Sequence, residues 1–118
     1  MSKHILIVED EPLLALDLED LIAEIVDADV IVCRHAAEAL RHVENKAFDF
    51  ALLDVDVVDG TTFGVAQALA LRGERFAFVS GSGRKDEAVQ CGALEYISKP
   101  YRPEDIQRVV AKGLAAAA

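Results

Sequence analysis

Three short apolar runs in this chain end abruptly in ionisable side chains. His4-Ile5-Leu6-Ile7-Val8 runs into Glu9, Asp10 and Glu11; Phe50-Ala51-Leu52-Leu53 runs into Asp54; Glu95-Tyr96-Ile97-Ser98 runs into Lys99-Pro100. A continuous apolar run of this length is the pattern of a strand buried on both faces. In an open parallel sheet the carboxyl ends of the strands are where ligands bind, so each of these groups is presented to a crevice. If the strands are parallel neighbours, the acids and the lysine converge on one pocket. Carboxylates crowded in such a pocket repel one another and any approaching anion unless a divalent cation bridges them. The stretch ending at Asp54 is the centre of this arrangement.

The elements that must carry these groups alternate strand and helix five times. After the first strand, Pro12 stands where a first helical position tolerates proline, behind acids suited to a helix N-terminus. Leu14, Leu18, Leu21, Ile22 and Ile25 then recur at helical spacing and predict one buried stripe. Val30 to Cys33 reads as the second strand, and Ala36 to Asn45 as a helix with Ala39, Leu40 and Val43 inward. The third strand ends at Asp54. Asp59-Gly60 is a turn signal before a helix from Thr62 to Leu71. Phe76 to Val79, ending in Ser80, is the fourth strand. Gly81-Ser82-Gly83 is the most flexible-looking stretch, and only a short helix fits between it and Gly92. The fifth strand leads to Lys99-Pro100, and Pro103, Glu104 and Asp105 open a last helix with Ile106, Val109, Val110 and Leu114 inward.

Composition narrows the functional classes. With 118 residues, 53% hydrophobic and 28% charged, the chain is expected to be one globular domain, residues 1–118, with no internal repeat, no linker and, after a tail of four alanines, no output domain. A net charge of -9 argues against a basic nucleic-acid surface, so the expected partner is a protein or a small ion. Cys33 and Cys91 belong to no CxxC pair and have no histidine cluster beside them in sequence, so neither a zinc site nor a disulfide framework is expected. His4, His35 and His42 are not placed as ligands or bases. No apolar run approaches the roughly 20 residues of a membrane-spanning helix and no signal-peptide pattern opens the chain; the expectation is a reducing cytoplasm.

Alternating units of this kind predict a parallel sheet with right-handed crossovers and helices on both faces: a doubly wound, flavodoxin-like α/β fold. Glu9-Asp10, Asp54, Ser80 and Lys99-Pro100, each at the carboxyl end of a predicted strand and in this order, resemble the receiver domain of two-component response regulators over essentially the whole chain. The resemblance implies the five-stranded order 2-1-3-4-5 and gives each residue a role. Asp54 would accept a phosphoryl group from a histidine kinase or phosphotransfer protein. Asp10 and Asp54 would bind Mg2+ directly, Glu9 through water, and Asp56 by its main-chain carbonyl. Lys99 would be the countercharge on a phosphoryl oxygen, with a cis bond to Pro100 aiming it inward. Ser80 and Tyr96 would be the switch pair, and Asp56 and Ser82 would tune the phosphoryl lifetime. The output would be contact with a downstream protein target, by a monomer.

The chain also departs from the family pattern. Val58 stands where a proline is usual, Thr62 where glycine is common, Ser80 where threonine is commoner, and Gly81 where alanine is usual. The stretch from Ser80 to Gly92 is about one helical turn short, so the fourth helix is expected to be stunted and the usual output face altered. The run through Ser80-Gly81 is faintly similar to a subgroup of single-domain regulators with a Thr-Gly motif there. Two other readings stand beside this one. Asp54-Val55-Asp56-Val57-Val58 fits the nucleophile motif of haloacid-dehalogenase-type phosphatases, although that motif ends the first strand of its domain and its downstream metal-binding acids are absent here. A flavodoxin-like flavin binder would need a phosphate-cradling loop after strand one, which this chain lacks.

Overall fold

The computed structural model describes residues 2–115. In chain order it contains β1 (Lys3–Val8), α1 (Pro12–Ala23), β2 (Ala28–Cys33), α2 (Ala36–Asn45), β3 (Phe50–Leu53), β4 (Asp56–Val57), β5 (Gly60–Thr61), α3 (Phe63–Leu71), β6 (Phe76–Ser80), α4 (Lys85–Val89), β7 (Tyr96–Ser98) and α5 (Pro103–Ala115). Five strands form one sheet in the order β2-β1-β3-β6-β7, with every neighbouring pair parallel. This is the order 2-1-3-4-5 expected from the sequence, β6 and β7 being the fourth and fifth strands of the sheet. The last three alanines of the tail lie outside the described residues.

Alternation along each strand explains why the strands are apolar throughout. Leu6, Val8, Ala51, Leu53, Phe76 and Phe78 face α2 and α3, where Ala39, Val43, Val65, Ala66 and Leu69 close one core. Ile5, Ile7, Phe50, Leu52, Ala77 and Val79 face the other way, onto Leu18, Leu21 and Ile22 of α1 and Ile106, Val109 and Val110 of α5. Successive side chains of a strand point to opposite faces, so covering both faces requires an apolar residue at every position. On the second face α5 approaches very closely: a Cβ added at Gly113 would stand 2.3 Å from two ring carbons of Phe50. Only glycine fits there without a shift of backbone or ring.

Two readings of the sequence are corrected. Ile25 does not join the stripe of α1, because the helix ends at Ala23; the turn that follows, in which both Ile25 and Val26 donate to the Ile22 carbonyl, leaves Ile25 42% exposed and packs Val26 against the core instead. Ala15, not Leu14, completes the buried stripe. The Asp59-Gly60 turn, read only as a loop, closes a small antiparallel hairpin in which Asp56 pairs with Thr61 and Val57 with Gly60. Gly60 adopts φ +130°, open to glycine and rarely to others. The fourth helix is as short as expected, five residues from Lys85 to Val89.

Candidate functional site

The hydrogen-bond ladder of the sheet continues one residue past several strand ends and so fixes the backbone of the site. Glu9 donates to the Cys33 carbonyl (2.9 Å), Asp54 to that of Val8 (2.9 Å) and Lys99 to that of Ser80 (3.0 Å). Side chains leaving these positions meet above the carboxyl edge. The Lys99 ammonium lies 2.7 Å from Glu9 Oε1 and 2.8 Å from Asp54 Oδ2, and the second Glu9 oxygen accepts from the Glu11 amide (3.1 Å). Glu9 is 1% exposed and Asp54 8%, so both carboxylates are more deeply set than surface acids ahead of a helix. The Lys99–Pro100 peptide is cis.

Electrostatics follow from that burial. Burial pushes the Glu9 carboxyl above the usual range, opposed by the Lys99 hydrogen bond and the Glu11 amide and reinforced by the Asp54 charge. Burial alone would lower the Lys99 ammonium, but hydrogen bonds from it to Asp54 and Glu9 hold it above its usual range. Carboxylate oxygens of Glu9, Asp10 and Asp54 all lie within 4.8 Å of one another. Hard oxygen donors at that spacing suit a hard divalent cation that retains waters, magnesium above all. The donor set therefore fits the ion expected from the sequence.

The remaining candidates line or flank a cleft of about 280 Å³ bounded by Asp10, Glu11, Asp54, Asp56, Ser80, Gly81, Ser82 and Lys99. Ser80, at the end of β6, is buried and its Oγ accepts from the Ser82 amide (3.2 Å). Tyr96 does not line the cleft. Its hydroxyl donates to the Ser82 carbonyl at 3.0 Å and more weakly to the Ser80 carbonyl at 3.5 Å, and its ring leans on Phe78 at 6.4 Å, so it is tied to Ser80 both directly and through Ser82. The Asp56 side chain is exposed at the mouth and lies 3.5 Å from the Arg84 guanidinium. A second groove, between α3 and α4, is lined by Phe63, Gly64, Gln67, Ala70, Leu71, Gln90 and Cys91. Its lining is apolar and amide side chains with the Cys91 thiol, whereas the acidic cleft is where Asp10, Asp54, Ser80 and Lys99 come together.

Two residues of the site were not singled out for it by the sequence. Thr62 is fully buried; its hydroxyl donates to the Asp54 carbonyl at 2.5 Å and its amide to the Val55 carbonyl at 2.9 Å, fixing the backbone that aims Asp54. Thr62 directly precedes α3 without capping it by its side chain, so its place at the helix start gives no signal of the bond to Asp54. Arg84 packs over the Phe63 ring at 5.2 Å and pairs with Glu87 as well as Asp56, which ties the start of α4 to the mouth of the cleft. Among the described residues no helix is long and apolar enough to cross a membrane.

Comparison with known proteins places this geometry. Residues 5–111 match the model of the response regulator receiver domain. The chain is 29% identical to the sensory transduction protein LytT of Enterococcus faecalis, over 92% of its own length and 47% of the relative's. It is 34% identical to the regulatory protein VanR of Enterococcus faecium, over 95% of its own length and 50% of the relative's. It thus spans about half the length of the curated relatives it matches. Among solved structures, a CheY-like receiver domain protein from Methanospirillum hungatei superimposes with a TM-score of 0.88 at 26% identity, covering 98% of this chain and 96% of that one. The receiver domain of a sensor histidine kinase from Pseudomonas aeruginosa, with magnesium coordinated in its active-site cleft, has a TM-score of 0.85 at 19% identity, covering 98% and 99%.

Proposed function

This chain belongs to the response regulator receiver domain family, and from that premise we propose that Asp54 accepts a phosphoryl group from a histidine kinase or a histidine phosphotransfer protein. The observation that carries the reading is the Lys99 ammonium held 2.8 Å from Asp54 Oδ2 and 2.7 Å from Glu9 Oε1 inside an acidic cleft. An Asp54 carboxylate oxygen attacks phosphorus as the bond from phosphorus to the donor breaks, and the donor leaves with that bond's electrons. Lys99 is placed to follow a phosphoryl oxygen as negative charge accumulates beside Asp54. Asp10 and Asp54 would hold magnesium directly, with Glu9 through water and the Asp56 carbonyl as further oxygen donors. When bound, the ion supplies the positive charge that lets a phosphoanion approach these carboxylates.

The new phosphoryl group brings roughly -1.5 to -2 charge and strong acceptor oxygens. Ser80 is the hydroxyl positioned to turn toward one of them, giving up the Ser82 amide. Because Tyr96 donates to the Ser82 carbonyl, loss of that contact frees the tyrosine to move, and the two-state change is read by a downstream protein. Asp56 and Ser82 stand at the mouth of the cleft, where they affect the approach of hydrolytic water. We read the chain as a receiver acting in the cytoplasm. Family membership favours this role for Asp54 over the phosphatase and flavin-binding readings. The test is intact-mass spectrometry after incubation with acetyl phosphate and magnesium: the wild type gains one phosphoryl group and Asp54→Asn none. Equal labelling of both would sink the assignment.

A further inference from the structure

Away from the acidic cleft, the fold brings together three ligand-type side chains that the sequence keeps apart. Cys33 ends β2 and is fully buried. Glu38 and His42, four positions apart on α2, occupy one face of that helix and are half-buried. One ligand atom from each, the Cys33 Sγ, a Glu38 carboxylate oxygen and an imidazole nitrogen of His42, lie within 4.8 Å of one another. Residues at i and i+4 on a helix are neighbours on its surface, and a third ligand from an adjacent strand completes a facial set. Tetrahedral zinc with sulfur, nitrogen and oxygen donors spaces its ligand atoms about 3.5 Å apart, so closure needs side-chain movements of about 1 Å or less.

We propose that Cys33, Glu38 and His42 form a binding site for a borderline-soft divalent cation of the zinc class, distinct from the magnesium-type site of the acidic cleft. A thiolate and an imidazole select against magnesium, and three protein ligands leave one position open for water or a further donor. Binding through sulfur requires Cys33 to give up its thiol proton, which is released as the ion binds. Arg41, the nearby cation on α2, is exposed and can turn to solvent. Binding pins α2 to the end of β2. It does so one hydrogen bond from the acidic pair, because the Cys33 carbonyl accepts from the Glu9 amide at 2.9 Å.

The test is a Co2+ titration of the full chain with Mg2+ in excess to fill the acidic cleft, followed by absorption. The expected result is a thiolate-to-cobalt charge-transfer band saturating at one equivalent and removed by Zn2+. The band is lost in Cys33→Ser and unchanged in Asp54→Asn. Both Glu38→Gln and His42→Ala alter half-buried side chains of a formed helix and keep the thiol; each is expected to weaken the ion by about tenfold or more, since even outer partners of ligands are worth that much. Absence of a charge-transfer band overturns the proposal. So does a band that survives Cys33→Ser and is lost in Cys91→Ser, or one whose affinity is unchanged in both Glu38→Gln and His42→Ala.

Discussion

Lys99 holds two buried carboxylates with one ammonium, and removing it leaves both without a partner. Breaking a buried ion pair costs several kcal/mol, less where the pair reaches solvent, and the Lys99 side chain remains 18% exposed. Lys99→Met is therefore expected to lower the stability of the metal-free protein by about 2 kcal/mol at neutral pH, and magnesium to narrow the gap. Because the folded state holds the Lys99 ammonium above its ordinary 10.5, its contribution is fully present below that pH and is lost as pH rises through the raised value. Denaturant unfolding of the two proteins should thus converge on the alkaline side. Glu9 has the same sign in a lower pH range: its carboxyl is raised above 4.5, so its contribution is fully present below that pH and is lost as pH rises through the raised value. Thr62→Val keeps the volume but leaves the buried Asp54 carbonyl without its donor, with an expected loss of about 1.5 kcal/mol in urea unfolding. Asp54, Asp10 and Lys99 were legible because each interrupts an apolar run at a strand end. Thr62 was not, since a side chain that bonds a backbone carbonyl eight positions away leaves no periodic trace.

At the scale of elements, strands were the most legible part because burial on both faces demands continuous apolar sequence. The end of α1 was less so: Ile25 continues the helical period, yet the chain turns at Glu24 before the period can be used. The hairpin of β4 and β5 was invisible beyond its Asp59-Gly60 signal, and so was a consequence of it. The Asp59 carboxylate accepts from the Ala36 and Ala37 amides at 2.6 and 3.1 Å, which caps α2 from another loop and lowers the Asp59 carboxyl. The short α4 depends on a comparable long-range tie, Arg84 to Asp56. Exposed ion pairs contribute little to global stability, so Arg84→Ala should leave the global unfolding transition nearly unchanged. Its effect should be local: faster amide exchange from Arg84 to Gln90, with β6 unchanged, measured by hydrogen exchange. Uniform exchange along α4 in both proteins would show that the guanidinium does not anchor the helix.

For the whole molecule, the question is what the phosphorylated form presents to other proteins. The face built from α4, β7 and α5 has only a five-residue helix at one edge, and Arg108 on α5 is already engaged within the chain by Glu95 and Asp105. Val89 and Leu71 are exposed, and Leu71 lines the groove between α3 and α4. A net charge of -9 becomes more negative on phosphorylation, and two copies meeting through one self-complementary surface must bring those charges together. Ordering of the segment from Gly81 to Gly92 is the expected response to the phosphoryl group, without a stable dimer. Light scattering in beryllofluoride and magnesium, at concentrations well above those of a cell, should return the 12.8 kDa mass of one chain. Amide exchange in the same segment should slow on activation. A clean doubling of mass would mean that the shortened helix still supports an isologous contact, and that the signal is read by a pair and not by a single receiver.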